Sequence, residues 1–242
     1  MSRWKAGAIH FSISLMVFLV LLAIILLLWY PGILFSIDGG WTGLQIVIGV
    51  DLVLGPLLTL IVFKSGKPGL KFDLSCIVTA QVVCMAAGMW IVYAERPLAL
   101  VLAYDTIYSV TEQEFIDYEK NSEILEEFEG SYPKLIFVEL PEGEVQRDIA
   151  AIRSQFIGDP LYIQTENYRG FPEKSEDITS VFQENEMIRA QISEELATQL
   201  PASCLLSKFV SAVTSGYVCF DPEEQIITNF YANEYSRVET GA

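Results

Sequence analysis

Nineteen consecutive residues, Phe11 to Trp29, carry no charge, and no other property of this chain limits its possible folds so strongly. A helix of that length rises about 1.5 Å per residue and crosses a hydrocarbon core about 30 Å thick. Two further apolar runs of similar length follow, about Gly43 to Phe63 and about Leu74 to Tyr93. The first run is read as an uncleaved anchor. A cleavable leader has a shorter apolar core followed by small residues at the cut site. Here Trp29-Tyr30-Pro31 supplies an interfacial aromatic pair and then a breaker.

Composition agrees with a chain of two characters. The hydrophobic fraction is 52%, yet the formal net charge is −16. Up to Lys71 the bases Arg3, Lys5, Lys64, Lys67 and Lys71 face only Asp38 and Asp51, whereas acids dominate from Pro97 onward. An acidic domain of this kind repels nucleic acid and anionic lipid. The lysines give one topology by the positive-inside rule: N-terminus and Lys64–Lys71 loop inside, the 31–42 loop and everything after Tyr93 outside. The expected fold is therefore three transmembrane helices, N-in and C-out, over residues 1–95, spanning about 11–29, 43–63 and 74–93. A small acidic α+β extracytoplasmic domain follows over 96–242.

The second run contains an acid, Asp51, and a Gly55-Pro56 pair. A carboxylate in hydrocarbon is costly unless it is neutral, paired or turned to a protein interior. Pro56 removes a backbone hydrogen bond and bends the helix about one turn from that acid. Asp51 has two readings. It is a buried acid capped by Thr or Gln groups of neighbouring helices or by water, or it is a docking point for a polar or cationic group on a partner helix. The third run carries small residues at Ala80, Ala86, Ala87 and Gly88, which permit close helix contact, and one strongly polar residue, Gln81.

In the outer domain Leu98–Tyr104 and Lys134–Leu140 read as strands. Thr111-Glu-Gln-Glu114 is a capping-box pattern opening a helix that runs toward Gly130. Glu142–Phe156 reads as a helix with Val145, Ile149 and Ile152 at helical spacing. Ser175–Leu200 reads as mostly helical with Val181, Ile188, Ile192 and Leu196 on its apolar face. A hairpin joins Tyr217–Phe220 to Gln225–Tyr231, and the tail from Ser236 frays.

Nothing in these residues assembles a catalytic centre. His10 is the only histidine and sits at the inner lip of the first run, so the outer domain has no Ser-His or Cys-His pair. No phosphate-cradling glycine loop and no Cys/His metal spacing is present, and no cofactor is expected. The acid clusters read as solvated helix faces. Cys76 and Cys84 lie in the third run. Cys204 and Cys219 lie outside and are expected either to close a disulfide loop or to stand as two buried thiols.

The run Trp41–Asp73, together with Arg3-Trp-Lys and Trp29-Tyr-Pro-Gly32, resembles the TfpX/TfpZ-type accessory proteins of bacterial type IV pilins. The resemblance covers about the first hundred residues. It implies a Gram-negative inner-membrane protein with its C-terminal domain in the periplasm. Such a protein acts beside its cognate major pilin in the lipid bilayer, supports pilin stability and pilus assembly in a chaperone-like way, and meets the assembly machinery. It marks Asp51, Gly55, Pro56, Lys64, Lys67, Pro68 and Gly69 as a family signature and a candidate contact for the pilin helix, and it brings no catalytic residues. The alternative is a membrane enzyme that modifies pilin, of glycosyl- or acyl-transferase type.

Overall fold

The computed structural model describes residues 2–140, 143–172, 175–182, 185–201 and 203–232. The tail from Ser236 lies outside them. The chain forms two compact units. One comprises Met1–Pro31 with Gly39–Glu95, the other Gly32–Asp38 with Arg96–Ala242. The division differs from a break at residue 95, because the short stretch after the first apolar run belongs to the sheet-containing unit.

The helical unit contains three helices long and apolar enough to cross a membrane: Arg3–Trp29, Gly43–Val62 and Leu70–Ala94. Met16, Leu19 and Val20 stand exposed on the first. An exposed apolar surface of that extent belongs in hydrocarbon rather than water. Within the second helix the backbone widens to a π-helical stretch, Ile48–Leu54, before resuming as an α-helix over Gly55–Val62. The Gly55 N–H bonds five residues back to the Val50 carbonyl. The expected disturbance at Pro56 is thus taken up as a local change of helical register ahead of the ring, which cannot donate to the preceding turn.

Small residues set the helix contacts. A Cβ at Gly7 would lie 3.3 Å from Leu60 Cδ1, one at Gly88 would lie 3.8 Å from Val47 Cγ2, and one at Gly43 would overlap Val92. Of the small residues expected to line the third helix, Gly88 is buried, while Ala80, Ala86 and Ala87 are exposed. The Tyr30 hydroxyl donates to the Val92 carbonyl at 3.1 Å, and the Trp29 and Tyr93 rings meet edge to face at 5.3 Å.

The second unit is built on a seven-stranded mixed sheet. Its strands are β1 Pro97–Ala103, β2 Thr106–Thr111, β3 Lys134–Val138, β4 Tyr168–Gly170, β5 Leu205–Val210, β6 Ser215–Asp221 and β7 Ile226–Ala232. The spatial order is β4-β3-β1-β2-β5-β6-β7. β1–β3 and β2–β5 are parallel and the other pairs antiparallel. β1 is buried along its whole length, as a central strand covered on both faces must be. Ala99 and Val101 face a cluster with Phe115, Leu125, Ile136 and Ile163. Leu100 and Leu102 face the other side, with Ile178, Phe209 and Phe220. Leu34 and Ile37 belong to that second cluster, and Ser109 on β2 donates a hydrogen bond to the Asp38 carboxylate.

Three expected elements differ. The stretch after Thr111 has its capping box but forms a helix only over Glu112–Asp117. A 3-10 segment follows over Ser122–Glu127, because Glu119 adopts φ 55° and the Asn121 side chain accepts from Glu123 N, opening a new start. The helix beyond Pro141 is described from Glu144 to Ile152 and continues as a wider turn to Ile157. The region 175–200 divides into Ser175–Val181, Asn185–Gln191 and Glu194–Gln199, the last capped by Ser193 Oγ accepting from Leu196 N at 3.2 Å.

Candidate functional site

The helical unit holds a cavity of about 450 Å³ whose lining is apolar except for a few groups: His10 and Ser14 from the first helix, Asp51 and Thr59 from the second, and Gln81 from the third. Helical periodicity puts them there. His10 and Ser14 are four residues apart, as are Asp51, Gly55 and Thr59, so each set occupies one face of its helix. His10 Nδ1 lies 2.5 Å from Thr59 Oγ1 and ties the first two helices together. Gln81 Nε2 donates to the Asp51 backbone carbonyl at 3.4 Å and ties in the third.

Gly55 makes that last contact possible, since a Cβ there would overlap the Gln81 amide. Asp51 is only 6% exposed. The Gln81 amide hydrogen-bonds the Asp51 carboxylate but leaves Asp51 Oδ2 and its own Oε1 without a partner among the described residues. Unpaired buried acceptors are expensive, and the arrangement is complementary to a group that brings N–H or O–H.

The signature residues fall into two groups. Asp51 lines the cavity, Gly55 admits the Gln81 amide to its side, and the Pro56 carbonyl lies beside Gly7. The second group makes a tight turn: Lys67 N donates to the Lys64 carbonyl at 3.1 Å, Lys67 Nζ pairs with Asp73 at 2.6 Å, and Gly69, at φ 83°, precedes the third helix. That left-handed conformation suits glycine and opposes a side chain. Pro68 lies within this turn. The cavity also contains groups that the signature omits, His10, Ser14, Thr59 and Gln81. Their four-residue spacings are legible, but the pairing of one helix face with another is not.

Cys204 and Cys219 are joined as a disulfide with Cα atoms 5.2 Å apart, and both are buried beside Ile188, Ile192 and Leu196. Elsewhere in the sheet unit, burial pushes the Glu114 carboxyl above the usual range. Its bonds from Thr111 N and the Tyr162 hydroxyl oppose that shift, and nearby Asp38 and Asp117 add to it. Tyr162 stacks on Tyr108 with ring centroids 4.2 Å apart. No group of three His, Cys, Asp or Glu side chains fit to hold a metal ion occurs among the described residues.

Against known proteins, the chain is 36% identical over 106 residues to three fimbrial assembly proteins of Dichelobacter nodosus, and the match takes in 43% of this chain. It spans 80% of the protein from serogroups C1 and C2. The chain belongs to the fimbrial assembly protein family. It spans only 41% of the length of the family members from serogroups E1 and I. No family model matches the chain, and no solved structure matches it.

Proposed function

We propose that this protein is a TfpX/TfpZ-type accessory protein of type IV pili. In this reading it binds its cognate major pilin in the inner membrane and promotes pilin stability and pilus assembly without catalysing a reaction. The observation that carries the reading is the pair of unpartnered acceptor atoms, Asp51 Oδ2 and Gln81 Oε1, at a mostly apolar chamber among the three long helices. Membrane-stored pilin is held by an apolar helix, and a donor on such a helix meets both acceptors while its apolar surface replaces lipid. Helix association in lipid relies on this combination of close packing and hydrogen bonding. The names of the relatives support an assembly role.

The folding of Gly32–Asp38 into the sheet unit supports the expected topology. That stretch and the chain from Arg96 onward share one unit, as they would if the second and third helices between them crossed and returned. In this reading the lysines near the N-terminus and in the turn stay on the cytoplasmic side, which leaves the sheet unit to the periplasm.

The test is a paired immunoblot for pilin, whole cells against the sheared surface fraction, in strains carrying Asp51→Asn, Asp51→Ala or the unaltered gene. Asp51→Asn keeps the shape and removes the buried charge, so the accessory protein itself stays at normal abundance. Surface pilin falls, and co-purification of pilin with the accessory protein falls with it. Normal surface pili and undiminished co-purification in both variants would refute the contact.

A further inference from the structure

The helix Glu144–Ile152, with its continuation Arg153–Ile157, turns its apolar side outward. Val145 is 68% exposed, Ile149 52%, Ile152 50% and Phe156 78%, while Ala150 is buried and joins the cluster beneath. The spacing of the four is four, three, four. That is the narrow seam of a coiled coil, and it is narrower than the face a helix needs to cover a sheet. A seam of this width fits another helix.

We propose that the occupant is the same helix of a second copy, packed antiparallel, so that this protein is a dimer in the membrane. The register follows from the spacing. Val145 of one copy meets Phe156 of the other, and Ile149 meets Ile152, because both pairs are symmetric about the Ala150–Ala151 peptide. Each layer then has nearly the same bulk, small against large at the ends and medium against medium in the middle, the even filling that a close-packed interface requires. Such two-fold pairing of identical patches is the commonest route to a homo-oligomer.

Charge argues against the bilayer as occupant. Glu144 and Asp148 balance Arg147 and Arg153, so the helix is neutral. A helix lying on a membrane surface instead carries a Lys/Arg-rich polar face. Confinement of both copies to one membrane also raises the effective concentration at which the seams meet.

The experiment uses the full-length chain in membranes, with the exposed thiols Cys76 and Cys84 replaced by serine. Two differently tagged copies, one carrying Val145→Cys and the other Phe156→Cys, are co-expressed and oxidised. The expected result is efficient cross-linking between the two tags. Val145→Cys expressed alone gives little self-cross-link, since its two sulfur-bearing positions are then about 16 Å apart along the axes by helical rise, beyond the roughly 7 Å Cα limit for a disulfide.

Ile149→Glu makes the purified chain monomeric by light scattering while its circular dichroism is retained. Equal cross-linking of Val145→Cys with itself and with Phe156→Cys overturns the register and with it the proposal. So does a wild-type chain that is monomeric in detergent and uncross-linked in membranes. An Ile149→Glu chain of unchanged mass that no longer retains pilin also overturns it, because the seam then serves pilin. The cross-linking and mass outcomes do not depend on the Asp51 contact, which fails or stands by the Asp51→Asn result.

Discussion

Loss of the Cys204–Cys219 bond is expected to lower the stability of the sheet unit by a calculable amount. The two residues are 15 apart in sequence, and closing a loop of that size removes about 3 kcal/mol of unfolded-state entropy on the chain-entropy model. The bond lies between the start of β5 and the middle of β6, strands already paired antiparallel through Leu206 and Cys219. The native geometry therefore exists without it, and most of the effect comes from the unfolded chain. For a domain of about 150 residues, 1 kcal/mol shifts Tm by roughly 2–4 °C, so reduction should lower the sheet unit's transition by about 6–12 °C. The assay is differential scanning calorimetry of the intact protein in detergent, with and without dithiothreitol. A double Cys204→Ala, Cys219→Ala chain is run alongside. The reduced wild type and the variant should agree within a few degrees, and the variant should not respond to the reductant. An unaltered Tm on reduction, with loss of the bond verified by thiol labelling, would contradict the reasoning. A thiol titration of the native, unreduced protein that found both cysteines free would contradict its premise.

Four shorter predictions accompany it. Glu114, raised by burial, stabilises the fold fully only at low pH and loses that contribution as pH rises through its shifted pKa. Glu114→Gln, which keeps an oxygen for Thr111 N, should raise Tm at pH 8, with the gain vanishing in acid. Asp105 behaves oppositely: burial pushes it up, but the hydrogen bonds from Lys208 and Thr106 and the Lys208 charge outweigh that and hold it down. Asp105→Asn should lower Tm at neutral pH, with the difference disappearing as pH falls through the lowered carboxylate pKa. A Cβ at Gly216 would overlap the Tyr231 carbonyl oxygen and crowd the Phe230 ring, so Gly216→Ala should cost about 1–3 kcal/mol by overpacking, read as a lower urea midpoint. Val213→Cys should react with a membrane-impermeant maleimide once the outer membrane is opened, and Ser65→Cys only after the inner membrane is broken; the reverse pattern would invert the topology.

Much of the helical unit follows from local chemistry. Long uncharged runs have one stable form in hydrocarbon, because every backbone group must bond within its own segment. Length alone therefore located the second helix and the C-terminal ends of the other two to within a residue or so. The first begins at Arg3, eight residues before the expected start, and the third at Leu70, four before it. Capping is equally local, and the Thr111–Glu114 box was readable for that reason. Strand β2 was not. The turn before it, Tyr104-Asp105, has no glycine to announce it, and Tyr104 takes φ 55° only because the paired strands impose it. Nor did helical spacing over 175–200 reveal two breaks. Val181 packs in one cluster, while Ile188, Ile192 and Leu196 pack in another, and separate destinations require separate helices.

The candidate site divides the same way. Asp51 stood out because a carboxylate in an apolar run is costly wherever it faces, which is a property of the residue. That His10 meets Thr59 and that Gln81 lies against Gly55 depend on how three helices pack, and no single helix encodes its neighbour's rotation. The seam of Val145, Ile149, Ile152 and Phe156 makes the point from the other side. Its periodicity is written in the sequence, but whether an apolar stripe faces a core or the outside depends on what the rest of the chain has already covered. Here the sheet meets that helix through Ala150, and only the tertiary structure leaves the stripe in the open.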